Sequence, residues 1–406
     1  MIKYKIALVY LNNDYNVGMG VGYLATVIKN AGHDLTFFDT RYINMKNLTN
    51  DILTKEYDFL MISSGTLFYK KAIALSKEIK ENKNNIKILL GGIHATILKD
   101  KLLLDCPYID YLCIGEGEDF VIDFLNTYGT ENFINTQNLG YRNKNNVPTI
   151  NSIRPCTSLD NLPFLDWSLF NKASIINSGP LPGFCYVFAT RGCPYNCTYC
   201  CNSFWLELYK KSYLRRKPID SVISELVFLK NNYPVQTFYF ADEMILLDMA
   251  YTSELLVRVK EEIDLPYGCM ARVEKITPEV IELFSKTNCQ YVGMGIECGD
   301  ENFRKTFLNR HMSNDQIIYA YSELKKVKNL KTSSYNMKGY PVEYDDELTQ
   351  KTLDLNAKVN PDFVGMSVFY PFPGTKLYDY CVANDKIDWD KFNNVTEYYT
   401  GSVLKR

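Results

Sequence analysis

Short apolar runs alternate with amphipathic stretches along nearly the whole chain, and that alternation restricts it to parallel sheets covered by helices. In the N-terminal part, strands are predicted at 4–10, 34–38, 58–63, 86–90 and 109–114, with helices at 18–31, 67–82 and 117–127. From residue 183 onward, strands at 184–190, 236–241, 267–272, 290–296, 333–339 and 363–370 alternate with helices near 204–212, 219–231, 251–262, 278–286, 314–328 and 345–358. The first block reads as an α/β doubly wound parallel sheet, and the second, with six repeats, as a partial (β/α)6 barrel. A small hairpin is predicted in 134–150, turning at Gly140–Asn146, and the Pro- and Asp-bearing run Ser158–Trp167 reads as irregular linker. The predicted domains are therefore 1–150 and 181–390, joined by a linker over 151–180 and followed by a short tail, 391–406.

A chain of 406 residues, 46% hydrophobic and 23% charged, can bury two cores and is not expected to be disordered. A formal net charge of -2 gives no electrostatic footprint for nucleic acid or an anionic membrane. No apolar run approaches the ~20 residues of a membrane span, and the N-terminus reads as a core strand. Twelve cysteines without a secretory signal fit a reducing cytoplasm better than a disulfide framework. Cys106, Cys113, Cys156, Cys185, Cys269, Cys289, Cys298 and Cys381 mostly lie in apolar surroundings and read as small core residues.

Three cysteines stand apart from these. Cys193, Cys197 and Cys200 follow the apolar run Cys185–Ala189 at Cys-x3-Cys-x2-Cys. Three thiolates on a tight loop can hold a four-iron four-sulfur cluster by three corners and leave one iron open. A structural zinc site would call for a fourth ligand, and no second pair at similar spacing lies downstream. Cys201 adds an adjacent thiol that is expected to point elsewhere.

The spacing, with Tyr199 just before the last cysteine, resembles the signature of the radical S-adenosylmethionine (radical SAM) superfamily. The resemblance implies that Cys193, Cys197 and Cys200 are the cluster ligands. It also implies that SAM chelates the open iron and is cleaved to a 5'-deoxyadenosyl radical. At the predicted strand ends it assigns Asp242 and Glu243 to the methionyl ammonium. Glu297 is assigned to the ribose hydroxyls, and the turn at Gly339 to the adenine region. Arg272 is expected to pair either with the SAM carboxylate or with an acidic neighbour.

In the N-terminal block, small residues crowd the turns after the strands, at Asn12–Gly22, Ser63–Thr66, Gly91–Thr96 and Gly115–Glu118. A dinucleotide site competes for the first of these, but its third glycine comes one position early. Together the turns resemble the cobalamin-binding domain that precedes many radical SAM enzymes. This implies cobalamin contacts at Asn16, Gly18, Ser64, Thr66, Gly91, Gly92, Gly115 and Glu116, with His94 either lining the site or a turn histidine satisfied by backbone. The axial Asp-x-His-x-x-Gly motif is broken, because Asn16 stands where histidine would be. His33 reads as a surface or capping residue and His311 as a solvated loop residue.

The resemblance extends over residues 4–390 and implies a cobalamin-dependent, class B methyltransferase-like radical SAM enzyme. Such an enzyme methylates an unactivated carbon and is served by a flavodoxin- or ferredoxin-type electron donor. The organic substrate stays open. Alternatives are a non-methylating rearrangement, cyclisation or carbon–carbon coupling, with the corrin as electron relay or absent, and a non-catalytic metal-binding protein. A methylthiotransferase would need a second cysteine triad that the scattered Cys106, Cys113 and Cys156 do not form.

Overall fold

The computed structural model describes residues 2–12, 17–83, 85–395 and 401–405. They form two compact units, Met1–Asn171 and Lys172–Arg406. Asn16 lies outside the described residues.

The first unit contains strands β1 (Lys5–Tyr10), β2 (Asp34–Asp39), β3 (Phe59–Ser63), β4 (Lys87–Gly91), β5 (Tyr111–Cys113), β6 (Leu139–Arg142) and β7 (Pro148–Ile150). Their order is β2-β1-β3-β4-β5-β6-β7. The first five strands are parallel, and the hairpin β6–β7 extends the sheet antiparallel from β5. Alternate residues of each strand serve opposite faces. Ala7, Val9, Leu60 and Ile62 pack beneath Leu48, Ile52, Leu75 and Ile79. Ile6, Leu8, Phe59 and Met61 pack against Ala25, Ile28, Phe120 and Phe124. Burial on both faces explains why these strands read as nearly continuous apolar runs.

Three helices of this unit, Met45–Thr54, Ile93–Leu98 and Asp100–Asp105, are absent from the sequence reading. The first buries only Leu48, Thr49 and Ile52, too thin a stripe to stand out, and starts where the Asn44 side chain accepts from Asn47 N at 2.8 Å.

Residues 151–171, predicted as linker, belong to the first unit. Leu159, Leu162, Leu165, Trp167 and Phe170 are buried. Backbone bonds tie the segment down, from Arg154 N to Asn138 Oδ1 at 2.7 Å and from Asp166 N to Thr26 Oγ1 at 3.0 Å. A Cβ at Gly22 would stand 2.7 Å from the Phe170 ring, so this glycine lets the segment lie close on its helix. Apolar anchors without a 2- or 3.6-residue period are invisible to pattern reading.

The second unit has six parallel strands, β8 (Phe184–Val187), β11 (Thr237–Phe240), β12 (Tyr267–Ala271), β13 (Cys289–Glu297), β14 (Lys331–Lys338) and β15 (Phe363–Val368). Adjacent in that order, they form a curled half-barrel. A separate ribbon pairs β9 (Thr190–Arg191) antiparallel with β10 (Arg215–Arg216). The predicted strand 184–190 therefore divides, with β8 ending at Val187. On one face of the half-barrel, Phe184, Tyr239 and Tyr291 cluster with Tyr186 and Met270. On the other, Cys185, Val187, Phe238, Phe240, Cys269 and Val292 are buried. The C-terminal segment returns to this unit. Ile387 bridges Leu404, Lys405 N donates to Lys386 O at 2.8 Å, and Val403 and Leu404 are buried. Among the described residues, no helix is long and apolar enough to cross a membrane.

Candidate active site

The cysteine loop is shaped by the ends of its neighbouring strands. Asp242 follows β11 and is 1% exposed. Its carboxylate accepts from Ala189 N at 3.0 Å, from Thr190 Oγ1 at 2.6 Å and from Thr190 N. Burial pushes its pKa up to about 7 against the pull of those donors. Asp242, expected to meet an ammonium, is thus a positioning residue that turns the chain out of β8. Glu243 is exposed, and its Oε2 accepts from Gly192 N at 3.3 Å. Gly192 has φ +104°, and a Cβ there would stand 2.3 Å from Tyr213 O, so only glycine fits the start of the loop.

Asp242→Ala is expected to cost about 2–4 kcal/mol, because it strands two N–H groups, one of them buried, and the Thr190 hydroxyl. Asp242→Asn keeps an acceptor oxygen and should cost less than half as much. Thermal unfolding of the two variants checks this, and equal losses would contradict it.

Further along, the loop is tied to distant chain. Thr198 N donates to Leu308 O at 3.2 Å, its hydroxyl to Phe307 O at 2.7 Å, and Leu377 N donates to Thr198 O at 3.0 Å. Asn309 Nδ2 donates to Asn196 O at 2.7 Å. Cys197 is buried, while Cys193 and Cys200 are half-buried. Burial, reinforced by the neighbouring Cys197 and Cys200, pushes the Cys193 thiol up to about 11, so metal binding would have to displace its proton. Among the described residues, no three His, Cys, Asp or Glu side chains converge on one point. A cubane presents its irons at separate corners, and three thiols carried on one loop suit it. Cys201, next in the chain, is exposed.

Two arginines face this loop. Arg272, just after β12, pairs with the acidic neighbour Glu274, its Nε donating to Oε1 at 3.2 Å. Its Nη1 donates to Cys197 Sγ at 3.7 Å. Arg310, a residue the sequence reading passed over, donates through Nη1 to the Tyr199 hydroxyl at 3.2 Å and through Nη2 to Gly295 O. The same Nη1 lies 3.7 Å from Glu297 Oε1, while the buried Arg310 Nε has no partner among the described residues. Burial raises the Glu297 pKa, opposed first by Arg310 and then by the Tyr199 hydroxyl. Glu297 itself has φ +68°, a left-handed conformation rare for a glutamate and of the kind stored at functional sites. At the end of β14, Gly339 (φ +80°) and Tyr340 donate their N–H groups to Asp345 at 2.9 and 2.8 Å. Asp345 is a second residue that the sequence reading passed over. Neither Arg310 nor Asp345 sits in a motif, and only the fold brings them to these strand ends.

In the first unit the order β2-β1-β3-β4-β5 is the flavodoxin-like one, whose ligands bind at the switch point between the first and third strands, rather than the usual dinucleotide-binding order. The turns there interlock. Ser64 N donates to Gly91 O at 3.2 Å, and at Gly92 (φ +100°) a Cβ would stand 2.4 Å from Ser64 O. Thr66 is buried, and Gly115 N donates to Thr96 Oγ1 at 2.9 Å. A Cβ at Gly18 would stand 2.5 Å from the Tyr10 ring. Glu116 differs from its expected role, as its Oε2 accepts from Thr157 N at 2.9 Å and anchors the 151–171 segment. His33 is buried rather than on the surface, its Nδ1 accepting from Tyr4 N at 3.2 Å. His311 is exposed, with Nε2 2.8 Å from Asn309 Oδ1.

His94 is 4% exposed, stacks on Tyr69 at 3.9 Å, and leaves both ring nitrogens without a hydrogen-bond partner among the described residues. A buried imidazole with two unmatched nitrogens beside small-residue turns fits a site built for a large polar cofactor. Burial lowers its pKa to about 4 from an ordinary 6.5. Because the unfolded chain takes up the proton first, this contribution to stability is complete above pH 6.5 and is lost towards pH 4, about 3 kcal/mol in all. In cobalamin-free protein, His94→Phe, which keeps the stack on Tyr69, should flatten that acid limb of the denaturation profile. An unchanged limb would show that His94 is not its source.

A half-barrel bearing a three-cysteine loop at its strand ends, preceded by a flavodoxin-like sheet with interlocking glycine turns, defines a class of enzyme. Residues 12–125 match the B12 binding domain, and residues 187–355 match the radical SAM superfamily. The chain belongs to the radical SAM enzymes that carry an N-terminal B12-binding domain, and its cofactors are a 4Fe-4S cluster, SAM and cobalamin.

Among its relatives is an uncharacterized methyltransferase of Pyrococcus horikoshii, 26% identical over 93% of this chain and 82% of that one. The anaerobic magnesium-protoporphyrin IX monomethyl ester cyclase of Cereibacter sphaeroides is 23% identical over 95% of this chain and 64% of its own length. In fold, the chain is similar to the radical SAM methyltransferase TsrM of Kitasatospora setae, whose structure holds cobalamin and a 4Fe-4S cluster. The TM-score is 0.74 at 13% identity, covering 94% of this chain and 75% of that one.

Proposed function

We propose that this protein methylates an unactivated carbon of an organic substrate. The bound cofactors supply one-electron cleavage of SAM and carriage of the methyl group. The protein's own residues bind, orient and shield. Cys193, Cys197 and Cys200 would hold three cluster corners and leave the fourth for SAM. Tyr199, Glu297 and Arg310 form one buried network at the end of β13, where Glu297 would receive the ribose hydroxyls. Gly339, fixed by Asp345, would border the adenine, and Glu243 is the exposed carboxylate of the β11 turn. In the first unit the turns at Gly18, Ser64–Thr66, Gly91–His94 and Gly115 would cradle cobalamin. An external reductant is required, for which a flavodoxin or ferredoxin is suited.

The observation that carries this reading is the meeting of the cysteine loop with the Glu297 network through the Tyr199–Arg310 hydrogen bond. The experiment is anaerobic reconstitution with cobalamin and methyl-labelled SAM, scoring 5'-deoxyadenosine and label in the product. Because one relative is a cyclase, a second reading is a non-methylating ring formation. It would give 5'-deoxyadenosine and a product without label. Absence of 5'-deoxyadenosine with an intact cluster would overturn both readings.

A further inference from the structure

Arg272 is held from three sides. Its guanidinium lies 3.6 Å over the ring of Tyr195, Glu274 accepts from its Nε and Nη2, and Nη1 donates to Cys197 Sγ at 3.7 Å. The residue is 7% exposed, so this cation is fixed in a water-poor setting against the loop that contains both Tyr195 and Cys197. We propose that Arg272 is a positioning residue that raises the reduction potential of the cluster through its N–H donated to Cys197 Sγ and its buried charge, rather than a ligand of the SAM carboxylate. This rests on the cluster assignment made above.

The physical reason is that reduction adds one negative charge to a group already held by thiolates. A donor aimed at a thiolate sulfur and a nearby positive charge both favour the reduced form, the more so where water is scarce. The electron comes from an external reductant, dithionite in the test below. No bond breaks at Arg272, and it keeps its proton. Glu274 acts in the opposite sense, since its carboxylate offsets part of the charge that it also anchors. The planar fork matters as well. A lysine at 272 would keep the charge but could not stack on Tyr195 and serve Glu274 and Cys197 at once.

The test is the midpoint potential of the anaerobically reconstituted, SAM-free full-length protein. It is followed by electron paramagnetic resonance as dithionite is added, with iron and sulfide content measured on each sample. Arg272→Met is expected to lower the reduced-to-oxidised ratio at fixed potential at least tenfold, ~59 mV for one electron. Arg272→Lys should fall between it and the wild type, and Glu274→Gln should shift in the positive direction. A fully loaded Arg272→Met protein with an unmoved midpoint overturns the proposal, as does a negative shift in Glu274→Gln. Loss of SAM affinity in Arg272→Met without a potential shift would restore the carboxylate role. Should Arg272→Met fail to retain a cluster, Arg272→Lys and Glu274→Gln decide by the same signs. Failure of the wild type to assemble any four-iron cluster would sink the functional reading instead, which keeps the two failures distinct.

Discussion

Replacing Cys197 by serine is expected to abolish cluster retention and to cut 5'-deoxyadenosine formation at least ~10³-fold, equivalent to about 4 kcal/mol of barrier. A serine hydroxyl at this buried position would have to lose a proton far less acidic than that of a thiol in order to ligate iron. Cys197 is also the thiol that receives the Arg272 N–H, so its loss removes both a corner of the site and the partner of a fixed cation. The fold should survive, because the loop is held by Thr198, Asn309 and the Asp242 carboxylate rather than by the thiols. Iron and sulfide analysis beside circular dichroism checks both halves. Cys193→Ser and Cys200→Ser should behave alike, whereas Cys201→Ser should keep its iron. A Cys197→Ser protein with four irons and undiminished turnover would remove the cluster from this loop.

The second large effect is expected at Gly92. Valine here would force a side chain into a left-handed conformation (φ +100°) with its Cβ 2.4 Å from the carbonyl oxygen of Ser64. That oxygen is backbone and cannot swing aside. Strain and displacement together should destabilise the first unit by about 3 kcal/mol or more and abolish retention of cobalamin. The paired control is Gly20→Ala. A Cβ at Gly20 meets nothing within 4 Å, and the residue lies near the start of the helix Met19–Asn30. Alanine there should leave stability unchanged or raise it by up to about 1 kcal/mol. Chemical denaturation and the corrin absorption bands of each purified variant measure both effects, and a cobalamin-replete, normally stable Gly92→Val protein would contradict the geometry.

Much of the site was legible before any fold was known, for reasons that differ among its parts. The cysteine triplet is local, with its spacing fixed within eight consecutive residues. Glu297 was legible because it closes a long apolar strand, and β13 does end at that residue. Asp242 was found by the same logic, but its role was not. An acidic residue after a strand can face a ligand or its own backbone, and only the positions of Ala189 N and Thr190 N decide between them. Glu116 repeats this lesson through its bond to Thr157 N. Arg310 stayed hidden because it follows a short helix in no recurring pattern, more than a hundred residues from the tyrosine it contacts.

By itself, the sequence determined the strand–helix alternation, the two kinds of sheet and the thiol loop, because each is written in residues close along the chain. The tertiary structure alone decided that residues 151–171 join the first unit, that β8 stops at Val187, and that Arg272, Glu274, Tyr195 and Cys197 meet. The physical reason is range. Hydrophobic period and motif spacing act over a few residues, whereas a carboxylate's choice of donor depends on which strand ends the sheet order places side by side.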